Sequence, residues 1–307
     1  MLDVYLQTLL SGLAVGGVYA LIALGFSITF TTTKTLNFAQ GEFISFGAFI
    51  GVTMLLLFSG LASTTTAVPG EAASAWRYPA AVIGAGAVAG FMGILIFLLA
   101  VKPFAGKGGM NWVMSTLGFG VMLQSLGLAI WGPAPVMVPS PLGDDVLRIA
   151  GAGVRPQELL VLACAILIMV ALDLVMRRSR IGKAMMAVAH SPQTASLMGI
   201  NVNLVMIGAF ALSSGLAGVA GVLIAPIASA SLFMGMGFAL KAFSGAIIGG
   251  LNNPRGCIYG GFILGVLESG IGLWQAQWRE IVVFGLIILV LAFRPAGLFG
   301  QAAVDKV

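Results

Sequence analysis

Apolar side chains dominate nine stretches of the chain, and their lengths and spacing predict helices that cross a membrane. A bilayer core asks for about 20 mostly apolar residues per helical span. Such windows fall at Leu6–Phe30, Phe43–Gly60, Pro79–Val101, Trp112–Trp131, Gln157–Met176 and Leu204–Ile227, and shorter ones at Cys257–Leu273 and Ile281–Phe293. A further glycine-rich piece, Phe238–Leu251, is short enough either to cross or to re-enter. Stretches such as Val82 to Val101 do not alternate apolar with polar, which excludes a transmembrane β-barrel. The pattern predicts an all-α polytopic integral membrane protein with 8 to 9 transmembrane helices, in two pseudo-repeated halves with broken or re-entrant helices. It forms one membrane domain over residues 1–307: a first half over about 1–176, an inner loop over about 177–203 and a second half over about 204–307.

Composition narrows the class. Hydrophobic residues make up 59% of the 307 and charged residues only 8%, about a third of the share in a soluble domain, so a water-soluble fold is excluded. The 43 glycines suit closely packed membrane helices, and the GxxxG spacings at Gly12/Gly16, Gly86/Gly90 and Gly261/Gly265 are packing faces. Cys164 and Cys257 have no CxxC spacing and are read as small buried thiols. One histidine, His190, leaves no multi-histidine metal site, and no GxxxxGK[ST] motif is present, so neither a metal nor a bound cofactor is expected. The chain opens Met1-Leu2-Asp3 with its first lysine at position 34, so a cleaved signal peptide is not expected.

Charge placement sets an orientation. With the amino terminus outside and nine crossings, ten bases fall inside (Lys34, Lys102, Lys107, Arg177, Arg178, Arg180, Lys183, Arg255, Arg294 and Lys306). Four fall outside: Arg77, Arg148, Arg155 and Arg279. The inner side should hold the excess, so the amino terminus is expected outside and the carboxyl terminus inside. The two outer loops, Leu61–Tyr78 and Gly132–Pro156, carry Glu71, Asp144 and Asp145 and either cap the outer mouth, meet a partner or merely connect.

The inner loop Arg177–Asn203 holds four bases and no acid. Ser191-Pro192 followed by Gly199 predicts a helix of about two turns, with a Ser N-cap, Pro in the first turn and a Gly stop. A preceding run from Gly182 to His190 predicts a second helix that would expose Met185, Met186 and Val188 unless something covers them. A short capped helix bearing Ala195, Leu197 and Met198, on a chain with no nucleotide site, suits docking of a separate motor subunit; an amphipathic linker is the alternative.

Three charges lie in or against apolar segments: Glu42, Lys241 and Glu268. A charge at membrane depth costs about 3 kcal/mol on insertion scales and is usually paired or faces a polar cavity. Asn37, Gln40 and Glu42 in one half, and Lys241 and Ser244 in the other, mark candidate broken helices at Asn37–Glu42 and Leu240–Gly245. Gly47-Ala48-Phe49-Ile50-Gly51 follows the first and Gly245-Ala246-Ile247-Ile248-Gly249 the second, so these interruptions point to a substrate path between the halves. Lys241 is expected to pair with Glu42 or Glu268, or to meet a substrate carboxylate. With one histidine, no HExxH and no GxSxG, an intramembrane enzyme is disfavoured.

Several pieces together resemble a known family. They are Tyr19-Ala20-Leu21-Ile22-Ala23-Leu24-Gly25; Leu36-Asn37-Phe38-Ala39-Gln40-Gly41-Glu42; Arg177-Arg178-Ser179-Arg180-Ile181-Gly182; Ala195-Ser196-Leu197-Met198-Gly199-Ile200-Asn201; Lys241-Ala242-Phe243; Gly249-Gly250; and Phe293-Arg294-Pro295-Ala296-Gly297-Leu298-Phe299-Gly300. This set resembles the inner-membrane permease subunits of ABC importers for branched-chain amino acids, with urea and short-amide importers as close relatives. The resemblance implies alternating access and partners: a second homologous permease, two cytoplasmic ATPase subunits that hydrolyse ATP, a periplasmic binding protein and surrounding lipid, with no nucleic acid. It maps Ser191–Gly199 onto the ATPase-contacting loop. Leu251-Asn252-Asn253-Pro254-Arg255-Gly256 departs from the family pattern after the paired glycines. A self-contained ion-coupled carrier remains the rival reading.

Overall fold

A computed structural model describes residues 2–60, 68–70, 76–104, 111–143, 145–149 and 151–300. Glu71, Asp144, Lys107 and Lys306, to which the sequence assigned sides, lie outside the described residues. The helices are α1 (Leu2–Thr33), α2 (Gln40–Phe58), α3 (Arg77–Ile96), α4 (Asn111–Trp131), α5 (Pro156–Arg178), α6 (Arg180–His190), α7 (Pro192–Leu197), α8 (Val202–Ala228), α9 (Met234–Gly249), α10 (Pro254–Trp274) and α11 (Arg279–Phe293). Among the described residues eight helical stretches are long and apolar enough to cross a membrane, and α9 is the shorter apolar helix. A two-stranded hairpin, β1 (Leu147–Ile149) with β2 (Ala152–Val154), lies in the second predicted outer loop and had no counterpart in the sequence reading.

Glycine spacing decides which helices touch. α1 and α10 run antiparallel: a Cβ on Gly12 would meet Val266, one on Gly16 would meet Phe262, and one on Gly261 would meet Ala20. α3 packs on α8 in the same way, with Gly86 and Gly90 against Gly215 and Ala211. All three GxxxG pairs thus face another helix backbone, where a missing side chain permits close approach.

These packings repeat. α1 lies on α10 as α8 lies on α3; α2 lies on α8 as α9 lies on α1; α4 touches α2 as α11 touches α9. Exchanging α1–α4 with α8–α11 maps these contacts onto one another. The exchange reverses chain direction, because α1 ends in the cleft that holds His190 and Asn253, whereas α8 starts at that end and leads to Ala230, bridged to Val136 beyond α4. The arrangement is an inverted repeat. Its two halves meet where Gly41, in the first turn of α2, lies against Gly235, in the first turn of α9.

One helix carries a proline in its interior. Pro226 lies inside α8 and has no N–H to donate to the carbonyl of Val222 four residues back. The Tyr78 hydroxyl donates to that carbonyl instead (3.1 Å), and Gln157 Nε2 donates both to Leu223 O (3.0 Å) and to the Tyr78 oxygen (3.1 Å). Side chains from α3 and α5 therefore satisfy backbone that the proline leaves open, as apolar surroundings require.

Candidate functional site

The first predicted interruption is present. α1 ends at Thr33, Lys34 adopts a left-handed φ of 55°, and the chain turns back through Asn37 before α2 starts at Gln40. That start lies inside the bundle. Gln40 Nε2 donates to the Ser213 carbonyl (3.1 Å) and the Ser213 hydroxyl donates to Gln40 Oε1 (3.2 Å), so α2 begins level with the middle of α8. Asn37 Oδ1 accepts from the Ala39 amide (3.1 Å) and its Nδ2 donates to Gln40 Oε1 (3.4 Å). Asn37, Gln40 and Ser213 are fully buried, and their bonds hold the non-helical turn where water is excluded. Glu42 stands in the first turn of α2, where the helix dipole favours a carboxylate, and its side chain lies beside Gly120 of α4. Its Oε2 has no hydrogen-bond partner within the described residues.

The second predicted interruption is displaced. Leu240–Gly245 is not broken: α9 is continuous from Met234 to Gly249. Its polar residues are served without unwinding, because the Ser244 hydroxyl donates back to the Leu240 carbonyl (2.7 Å) and Lys241 reaches a charge on α10. The irregular backbone precedes α9, over residues 229–233, where Ser229 has a φ of 60°. From Ala230 the chain descends to Gly235, whose amide donates to the Ser45 hydroxyl of α2 (3.0 Å). The repeated Gly-Ala-x-Ile-Gly pieces are packing surfaces: Gly47 and Gly51 face Gly218 and Val222 of α8, and Gly245 and Gly249 face Gly261 and Gly256 of α10.

Lys241 pairs with Glu268 and not with Glu42. Its ammonium donates to Glu268 Oε1 at 2.5 Å, and the Tyr19 hydroxyl of α1 donates to Oε2 at 2.7 Å. One carboxylate thus joins α1, α9 and α10. On α10, Gly272 one turn beyond Glu268 leaves the space that the Arg279 guanidinium occupies.

The loop of residues 177–203 forms α6 and α7. The Ser179 hydroxyl accepts from the Gly182 amide to cap α6 (3.0 Å), and Ser191 accepts from the Thr194 amide to cap α7 (3.3 Å). Pro192 opens α7; Gly199, at φ 82°, stops it, and the Ile200 amide closes back on the Ala195 carbonyl (3.0 Å). Ala195 is buried, while Leu197 and Met198 are 88% and 79% exposed. On α6 the expected exposure holds only for Met186; Met185 and Val188 are buried in the core, because Gly182 lets α6 fold tightly against the Met176 backbone at the end of α5.

The structure therefore brings Asn37 and Gln40 together, and Lys241 and Glu268 together, but leaves Glu42 on the α4 side. Tyr19, Ser45 and Ser213 were missed: each acts across helices far apart in the chain, and nothing local distinguishes it from an ordinary small or aromatic residue. Asp173 was missed too, although its place four residues before Arg177 was a visible signal. It accepts from Arg255 Nε (2.9 Å) and Nη2 (2.8 Å), which ties α5 to the start of α10. The carboxyl-terminal motif also finds a partner: Leu298 N donates to Ile248 O (2.7 Å), and Gly250 and Gly297 pack backbone to backbone at φ 95° and 83°.

This bundle, with interior polar clusters and an inverted repeat, is that of a transport permease. A family model described as branched-chain amino acid transport system / permease component matches residues 8–291, and the chain belongs to that family. The high-affinity branched-chain amino acid transport system permease protein BraD of Pseudomonas aeruginosa is 33% identical over 313 residues, covering 99% of this chain and 98% of the relative. The permease protein LivH of Escherichia coli K12, of a system with the same description, is 29% identical over 310 residues, with 99% and 98% covered. The D-allose transport system permease protein AlsC of the same organism is 26% identical over 273 residues, with 85% and 80% covered. No solved structure matches.

Proposed function

We propose that this chain is the membrane-spanning permease subunit of an ATP-driven importer for branched-chain amino acids in the bacterial inner membrane. The carrying observation is the family match across residues 8–291, supported by relatives of that description aligned over 99% of the chain. Partners follow from the family in general: cytoplasmic ATPase and substrate-binding proteins. Their arrangement here is two ATPase subunits that perform the hydrolysis, a periplasmic binding protein and a second, homologous permease. The amino terminus lies outside and the carboxyl terminus inside, as the excess of bases at the Lys34 end favours.

Ser191, Pro192, Ala195, Leu197, Met198 and Gly199 form the ATPase-coupling loop. The caps make α7 a rigid lever, buried Ala195 anchors it, and exposed Leu197 and Met198 are the apolar surface a motor grips. Because α7 continues from α5 and α6, a push there tilts the inverted halves about the Gly41–Gly235 contact, which is how a packed bundle alternates access. Substrate passes between the halves, along the polar groups at Asn37, Gln40 and Glu42 and at Lys241, Ser244 and Glu268. The test is leucine uptake by cells that lack their own branched-chain importers, with this gene expressed beside the neighbouring homologous-permease, ATPase and binding-protein genes. Uptake above the empty-vector level that vanishes when the ATPase gene is omitted supports the reading; uptake without the ATPase overturns it.

A further inference from the structure

At the Lys34 end a cleft of about 700 Å³ opens between α1, α5, α6 and the start of α10. Leu24, Ile28, Met169, Leu172 and Ile258 give it apolar walls, and Lys34, Arg177, His190 and Arg255 give it a basic rim around one acid, Asp173. From Leu24 to the end of α1 at Thr33, next to Lys34, is about 14 Å at helical rise, roughly half the thickness of a bilayer core. The polarity of the cleft therefore runs along α1, from apolar residues toward the basic end, in the order of an acyl chain followed by a headgroup.

The rim carries more positive charge than the chain neutralises. Asp173 is shared by two guanidiniums: Arg255 binds both its oxygens, and Arg177 Nε lies 3.2 Å from Oδ2. The third cation, Lys34, forms no ion pair among the described residues; its ammonium lies over the Phe30 ring at 5.6 Å. Its left-handed backbone stands at the end of α1, where the helix stops at the rim. Three cations facing one carboxylate leave room for an anion, whereas a free polar anion would leave the apolar walls unfilled and a neutral lipid would leave the cations unmet. Basic pockets between membrane helices take anionic headgroups for this reason.

We propose that this cleft binds an anionic phospholipid, with the phosphate between Lys34 and Arg177 and an acyl chain along the partly exposed Leu172, Met176 and Ile258. Arg255, in the segment where the chain departs from its family pattern, holds Asp173 aside, so the rim stays basic.

Native mass spectrometry of the full-length chain in detergent reads this directly, with phosphatidylglycerol, phosphatidylcholine or inorganic phosphate added. The expected result is one retained phosphatidylglycerol, at least tenfold over phosphatidylcholine, reduced at least fivefold in the double variant Lys34→Gln/Arg177→Gln. Leu172→Trp, which fills the wall without changing charge, should lower retention as well. Equal retention of phosphatidylcholine, or undiminished retention in both variants, overturns the proposal. Displacement of the lipid by an equal concentration of inorganic phosphate overturns it in favour of a simple anion site.

Discussion

Lys241 of α9 and Glu268 of α10 form an ion pair at 2.5 Å with only 20% and 12% of their side chains exposed. Breaking such a pair from one side leaves a charge stranded, which costs about 3 kcal/mol, whereas removing both charges is often neutral. Lys241→Met is expected to destabilise the protein by about that amount. Lys241→Met/Glu268→Gln, which keeps an acceptor for the Tyr19 hydroxyl, should recover most of it. Thermal unfolding in detergent checks both; a single variant as stable as the parent would remove the pair from the account.

Tyr78 and Pro226 make a second coupled pair. Tyr78→Phe leaves the Val222 carbonyl without its donor at a cost of about 1–3 kcal/mol, the penalty of an unsatisfied buried group. Pro226→Ala restores an N–H at that turn of α8, so Tyr78→Phe made together with Pro226→Ala should add markedly less cost than it does alone. Additive losses in this double-mutant cycle would show that the tyrosine does not stand in for the missing amide.

The contact at the centre of the repeat predicts a steep position dependence along one turn of α9. A Cβ at Gly235 would meet the Gly41 carbonyl and the Ser45 hydroxyl, while one at Gly237 meets nothing within 4 Å. Gly235→Ala should therefore lower the melting temperature by several degrees and Gly237→Ala should leave it unchanged, apart from a slight gain from helix propensity. Equal effects at the two sites would deny the close approach.

Apolar run length located the eight membrane-length helices to within a few residues, because a helix at membrane depth must be largely apolar whether it faces lipid or the interior of the bundle. The α7 caps were legible for a related reason: Ser191, Pro192 and Gly199 act on backbone two to five residues away, so the signal is local. Lys241 and Ser244 misled, since a polar cluster in an apolar segment looks like a break whether the helix unwinds or its side chains find partners. The break lies at residues 229–233, just after Pro226 and just before Gly235 docks on α2. Partners such as Ser213 for Gln40, or Asp173 for Arg255, depend on inter-helix registry that no local pattern encodes.

The exposed pair at the end of α7 separates fold from function. Leu197→Ser/Met198→Ser changes side chains that are 88% and 79% exposed, so the melting temperature should shift by no more than a degree or two. Leucine uptake should fall at least tenfold, and co-purification of the ATPase subunits should be lost. Retained uptake would place motor docking elsewhere.

Reconstitution of the purified assembly tests the central claim most directly. Proteoliposomes containing this chain, its homologous permease and the ATPase subunits, with binding protein and labelled leucine outside and ATP inside, should accumulate leucine in proportion to ATP hydrolysed. Vesicles holding this chain alone should accumulate none under an imposed proton or sodium gradient. Gradient-driven uptake by the single chain, without ATP or partners, would contradict the account.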